Sequence, residues 1–202
     1  MKKSVFILLY LILLSIPLIT IYKNAGGGNI SSLSYLILRF LGLLGITLIF
    51  IQIMLGVFMD YWKSIFGMKI LKFHIIEGFI AYLIILSHPI FYFIYNLQTL
   101  SFTNSLLSIL PNFANSWEIY IDIGELGIIF LTIGVMAGIF RTYPLISKHW
   151  RLFHKLNYIV FTLIIIHSFP LGTDTKSTPF VYLYPIFIGG LIFALFYKLK
   201  ND

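Results

Sequence analysis

Long apolar runs separated by short, polar-ended connectors set the pattern of the chain. Six stretches, at about 4–22, 34–58, 71–96, 120–140, 151–170 and 180–197, each hold about 20 residues with very few charges, enough to cross the roughly 30 Å hydrocarbon core of a bilayer as a helix. The pattern predicts an all-α polytopic membrane protein, a six-helix transmembrane bundle forming a single domain over residues 1–202. The first stretch starts with Lys2 and Lys3 in the manner of a signal peptide. Its apolar run is long for one and no A-x-A site precedes KNAGGGN, so a retained helix is expected.

Composition agrees with the pattern. The 202 residues are 59% hydrophobic with seven acidic side chains, too few to hydrate the surface of a soluble globule of this size. There is no cysteine, which excludes disulfides, thiolate nucleophiles, iron–sulfur clusters and cysteine-bound zinc, and leaves only nitrogen and oxygen ligands for any cofactor. The net charge of +7 follows from basic residues at the ends of apolar runs, where they set topology, and no nucleic-acid partner is read from it. Lys2, Lys3, Lys63, Lys69, Lys72, Arg141, Lys148, Arg151, Lys155, Lys198 and Lys200 fall on one side, and only Lys23, Arg39 and Lys176 on the other. Both termini are therefore expected to face the cytoplasm. AGGGN at 25–29 lacks the strand and the glycine spacing of a phosphate cradle, and no flavin or nicotinamide domain is expected within these 202 residues.

Against this background the histidines stand out. His74 and His88 lie on the third stretch, His154 and His167 on the fifth. Both stretches run in the same direction, and each carries its first histidine about four residues in. At 1.5 Å per residue, the second histidines come about 21 and 19.5 Å further on, so the four form two level pairs, His74 with His154 and His88 with His167. An ionisable group inside a bilayer is a functional candidate by default. A bundle interior holds a planar cofactor between axial ligands from facing helices, so two bis-histidine b-type haems, one toward each face, are expected. At 100° per residue His88 returns to within about 40° of His74, whereas His167 falls about 140° from His154, which calls for a bend or a change of winding in the fifth helix.

FHIIEGFIAYLIILSHPIFYFI together with HWRLFHKLNYIVFTLIIIHSF resembles the ferric reductase-like transmembrane domain shared by ferric reductases, NADPH oxidases and the haem subunit of a periplasmic methionine sulfoxide reductase system. His74, Gly78 and His88 match the family's third-helix pattern, and Trp150, His154, Leu156, Tyr158 and His167 its fifth-helix pattern, over about residues 35–195. Ile75 stands where the family often has a basic residue. The resemblance implies that His74, His88, His154 and His167 are the metal ligands of two haems, with Gly78 allowing the approach of a flat ring.

Other residues qualify this picture. Lys72, Arg151 and Lys155 lie within a turn of the inner histidines, as haem-propionate partners or as topology determinants. Arg39 lies a turn inside the second stretch, at a cost of about 2.5–3.5 kcal/mol if unpaired; Glu125 or an outer propionate is its expected partner. Glu77, three residues after His74, is expected to bond that ring or to face water at the cytoplasmic rim. His149 belongs to the aqueous edge. Gly42, Gly45, Gly134 and Gly138 are expected to serve close helix packing, and Pro89 to kink the third helix.

The expected function is transmembrane electron transfer, from a flavoprotein reductase or a quinol to an unidentified acceptor outside, by the haem-binding subunit of an oxidoreductase in the cell membrane, with no catalytic side chain of its own. The alternatives are a proton or metal-ion transporter using intramembrane His and Glu, and a purely structural role. The stretches FIAYLIIL and YIVFTLIII offer only the hydroxyls of Tyr82, Tyr158 and Thr162 to a proton relay.

Overall fold

The computed structural model describes residues 2–25 and 32–201; most of the glycine-rich AGGGN connector falls outside the described residues. The chain forms α1 (Lys2–Ala25), α2 (Leu33–Val57), α3 (Met59–Phe66), α4 (Lys69–Asn96), α5 (Phe102–Leu107), α6 (Ser116–Ile139), α7 (Pro144–Ser147), α8 (Trp150–His154), α9 (Leu156–Leu171) and α10 (Leu183–Asn201). Two short 3₁₀ turns, Asp174–Lys176 and Phe180–Tyr182, link α9 to α10, and there is no strand among the described residues. Six helical stretches are long and apolar enough to cross a membrane: α1, α2, α4, α6, α8 with α9, and α10 with the turn before it. The protein is an all-helical, multi-pass membrane protein.

Local sequence sets the helix starts. The Ser32 hydroxyl accepts from the Tyr35 N–H at 3.2 Å, and Asn115 Oδ1 accepts from Trp117 and Glu118 at 2.9 and 3.1 Å, supplying partners for N–H groups that the first turn of a helix cannot satisfy. Gly67, at φ +65°, ends α3 in a conformation that suits glycine. α4 continues through Pro89 to Asn96.

The fifth span is divided. α8 ends at His154, the Lys155 N–H is shared between the carbonyls of Arg151 and Leu152 at 3.0 and 3.1 Å, and the Tyr158 N–H reaches the Lys155 carbonyl three residues back at 3.2 Å. Such three-residue bonds tighten the winding. The change of winding required by the thirteen-residue histidine interval therefore falls directly after His154, in a stretch with neither proline nor glycine.

Packing arranges the spans as two pairs. α2 lies along α4, α6 lies along α8 and α9, and the pairs meet through lighter α2–α9 and α4–α6 contacts. α1 and α10 flank α2, the most enclosed helix. Between helices in a bilayer the attraction comes from close packing rather than from removal of apolar surface from water. Phe50 of α2, Phe161 of α9 and Phe187 of α10 provide it, with ring centroids 4.9–5.8 Å apart. Phe6 packs on Trp62 and Phe66 of α3, and Tyr197 packs on Phe58, so both ends of the chain lie at the α3 end of the bundle.

Candidate haem-binding site

The division into helix pairs leaves α4 facing α8 and α9, and the histidines meet across that division. The His74 and His154 rings have centroids 6.3 Å apart and planes at 81°; those of His88 and His167 are also 6.3 Å apart, at 85°. Each ring is half-buried.

Each of these four histidines has a glycine behind it on the neighbouring helix. Gly42 and Gly56 of α2 back His88 and His74, and Gly124 and Gly138 of α6 back His167 and His154. Both glycine pairs are fourteen residues apart, the interval that also separates His74 from His88. A Cβ at Gly42 would stand 3.0 Å from His88 Cε1, and one at Gly124 only 2.6 Å from His167 Cε1. At Gly56 and Gly138 it would lie 3.7 Å from His74 Cε1 and 3.8 Å from His154 Nδ1, an ordinary contact distance. The His88/His167 level is thus cradled tightly and the His74/His154 level loosely.

The same helix turns orient the rings. His88 Nδ1 lies 3.0 Å from the Leu38 carbonyl and His167 Nδ1 lies 2.7 Å from that of Tyr120, each carbonyl being four residues before the backing glycine. A carbonyl only accepts, so both Nδ1 atoms carry the hydrogen and both Nε2 lone pairs are left available. Anchoring a histidine through one nitrogen fixes the tautomer for ligation through the other. At the second level the carbonyl facing His154 is that of Gly134, four residues before Gly138, at a geometry short of a full hydrogen bond. The buried Nδ1 of His74 has no hydrogen bond, and Gln52, four residues before Gly56, donates from Nε2 to the His74 carbonyl at 3.0 Å.

Two imidazoles are all that either level offers: among the described residues no group of three or more His, Asp or Glu side chains could enclose a metal ion. An ion held there must bring its remaining ligands with it, as a haem macrocycle does. Metal–imidazole bonds of about 2.0–2.1 Å put two rings on opposite sides of one ion with centres about 6 Å apart, the separation found at both levels. The residues present fit a haem at each.

Several expected site residues are placed differently. Arg39 pairs with Asp174 and not with Glu125: its guanidinium makes a two-pronged salt bridge, Nε to Oδ2 at 2.5 Å and Nη2 to Oδ1. Asn24 and Ser177 complete this network, which joins α1, α2 and the 3₁₀ turn that follows α9. Gly78 is turned to α2, where Gln52 Oε1 would lie 2.9 Å from an added Cβ, so its lack of a side chain admits the Gln52 amide. Glu77 neither bonds His74 nor faces water. It is 4% exposed, with both carboxyl oxygens unpaired. Arg151 is exposed, its guanidinium over the Trp150 ring, and exposed Lys72 lies two residues before His74. His149 is exposed at the start of α8. Of the four glycines assigned to helix packing, Gly45 meets Ile85 and Gly134 meets Asn157, whereas Gly42 and Gly138 meet histidines. Gly56, Gly124 and Asp174 carry no motif of their own in the sequence; the matching fourteen-residue intervals are a visible signal for the two glycines.

No family model, curated protein or solved structure matches the chain.

Proposed function

We propose that the protein is a di-haem b-type transmembrane electron-transfer protein, similar in plan to ferric reductase-like domains. It would pass electrons from a donor on the cytoplasmic side to an acceptor outside the cell membrane. The observation that carries this reading is the pair of histidine couples at one separation, 6.3 Å, each ring backed by its own glycine.

His74 with His154 would hold one haem and His88 with His167 the other. Bound there, the haem irons supply reversible one-electron chemistry at potentials set by burial and axial ligation. The protein's contribution is positional. α4 and the α8–α9 span carry the ligands, the glycines of α2 and α6 admit the rings, and the Leu38 and Tyr120 carbonyls hold the imidazoles as Nε2 ligands. Between the levels the two histidine-bearing spans are apolar. Over 79–86 and 159–166 the polar side chains are Tyr82 and Thr162, and the Tyr82 hydroxyl is bonded to Thr132 at 3.2 Å. That interval favours electron transfer over a proton or metal-ion path, which needs ionisable groups at successive depths.

Proteoliposomes loaded with a membrane-impermeant ferric acceptor and given an impermeant reductant outside test the reading. Haem-dependent reduction of the trapped acceptor is expected from the wild-type chain, with loss in His74→Ala and in His88→Ala. Equal rates in vesicles with and without the protein would refute transmembrane electron transfer.

A further inference from the structure

Glu77 is the buried ionisable group that the haem reading does not use. It helps to line a groove between α1, α2 and α4 with a cavity volume of about 230 Å³, together with Tyr10, Leu14, Leu44, Phe73 and Ile80. Both carboxyl oxygens are enclosed and lack a hydrogen-bond partner. A carboxyl kept from water without a donor is costly, and the cost is relieved when a ligand supplies the missing O–H or N–H.

The surroundings narrow the ligand. The lining offers no basic side chain to pair with an anionic head, and it would leave the hydroxyls of a sugar-like head unpaired. Ile76 and Ile80, 61% and 48% exposed, flank the groove on the outer surface of α4, so entry is from the side, through the layer occupied by lipid chains. Tyr10 and Phe73 meet edge to face at 5.4 Å across α1 and α4, an aromatic wall suited to a flat ring. Glu77 lies one helical turn from His74, the ligand nearest the groove.

We propose that this groove binds the head of a membrane quinol, one hydroxyl of which donates a hydrogen bond to the Glu77 carboxyl. The proposal rests on the electron-transfer reading and names the site of its donor. A small aromatic diol with an apolar tail meets each condition: it dissolves in the bilayer, enters from the side, stacks on Tyr10 and Phe73, and brings the donor that Glu77 lacks.

The test is equilibrium binding of a short-tailed quinol to the purified protein in nanodiscs under reducing conditions, together with photolabelling by an azidoquinone and mapping of the labelled peptides. Haem is quantified in the same samples. The expected result is saturable binding, label on peptides containing Tyr10 and Phe73–Ile84, and about tenfold weaker binding in Glu77→Leu, the loss expected for one hydrogen bond to a charged or strongly polar acceptor. Ile80→Trp, which enlarges the side chain at the groove mouth without touching Glu77, is expected to block binding while haem content stays at the wild-type level, so that a folding defect in Glu77→Leu does not decide the matter. Label elsewhere on the chain, unchanged affinity in both variants, or equal displacement by an alkane-tailed compound lacking the diol would overturn the proposal and make the groove an ordinary lipid contact. Wild-type haem content without quinol binding would sink this inference alone. Absence of haem would sink the electron-transfer reading beneath it.

Discussion

Gly124 leaves no space between the α6 backbone and the His167 ring: a Cβ added there would meet Nδ1, Cε1 and Cγ of the imidazole together, with Cγ at 2.9 Å. A ring held against backbone on one side, with its Nδ1 on the Tyr120 carbonyl, cannot yield without losing that hydrogen bond. Gly124→Ala is therefore expected to displace His167 and empty the His88/His167 level, roughly halving haem per chain. Gly56→Ala and Gly138→Ala, where the new methyl would stand 3.7 and 3.8 Å away, should keep the wild-type content. Haem quantified per chain in the three variants checks this, and equal tolerance of all three would show that the glycines do not shape the sites.

Because each level is built from its own two histidines, the levels should empty separately. His88→Ala or His167→Ala is expected to remove about half the haem and leave the His74/His154 spectrum in place. Complete loss from either single replacement would contradict two independent sites.

Arg39 and Asp174 form the most enclosed charge pair among the described residues, with side chains 18% and 3% exposed. Removing one partner strands the other, at about 3 kcal/mol or more. Arg39→Leu should accordingly lower the thermal unfolding midpoint in detergent, and Arg39→Leu combined with Asp174→Leu should recover much of the loss, since the stranded carboxylate is gone. A double variant no better than the single would show that the pair's contribution lies elsewhere, in the Asn24 contact that the Asp174 side chain also makes.

What the sequence disclosed, and what it did not, follows from the range of each interaction. The six spans were legible because length and hydrophobicity are local properties, and the histidine couples because helical rise converts spacing into depth. The partner of Arg39 was not, since Asp174 lies 135 positions away in a short turn whose place depends on how α1, α2 and α10 pack. Glu77 looked like a rim residue because its surroundings come from other helices, Tyr10 and Leu14 of α1 and Leu44 and Leu48 of α2, and no pattern within α4 shows that. The break after His154 carries no proline or glycine to mark it; only the awkward azimuth of His167 pointed to it. The glycine intervals were visible, but glycine in a membrane helix ordinarily serves helix contact, and that role hides a ring cradle until the rings are placed.

The imidazole planes at both levels lie near perpendicular, at 81° and 85°. Low-spin ferric iron between perpendicular imidazoles has a strongly anisotropic ground state. Electron paramagnetic resonance of the oxidised protein is expected to show highly anisotropic low-spin signals from both sites. Ordinary rhombic signals would mean that the rings turn toward parallel once the ligand is in place.

The proposed function requires two haems per chain, each between two histidines. The most direct test is the reduced-minus-oxidised visible spectrum of the detergent-purified protein expressed with haem available, with haem measured per chain as the pyridine complex. Sharp low-spin b-type bands and close to two haems per chain are the result expected. A chain that purifies folded and without haem would contradict the account.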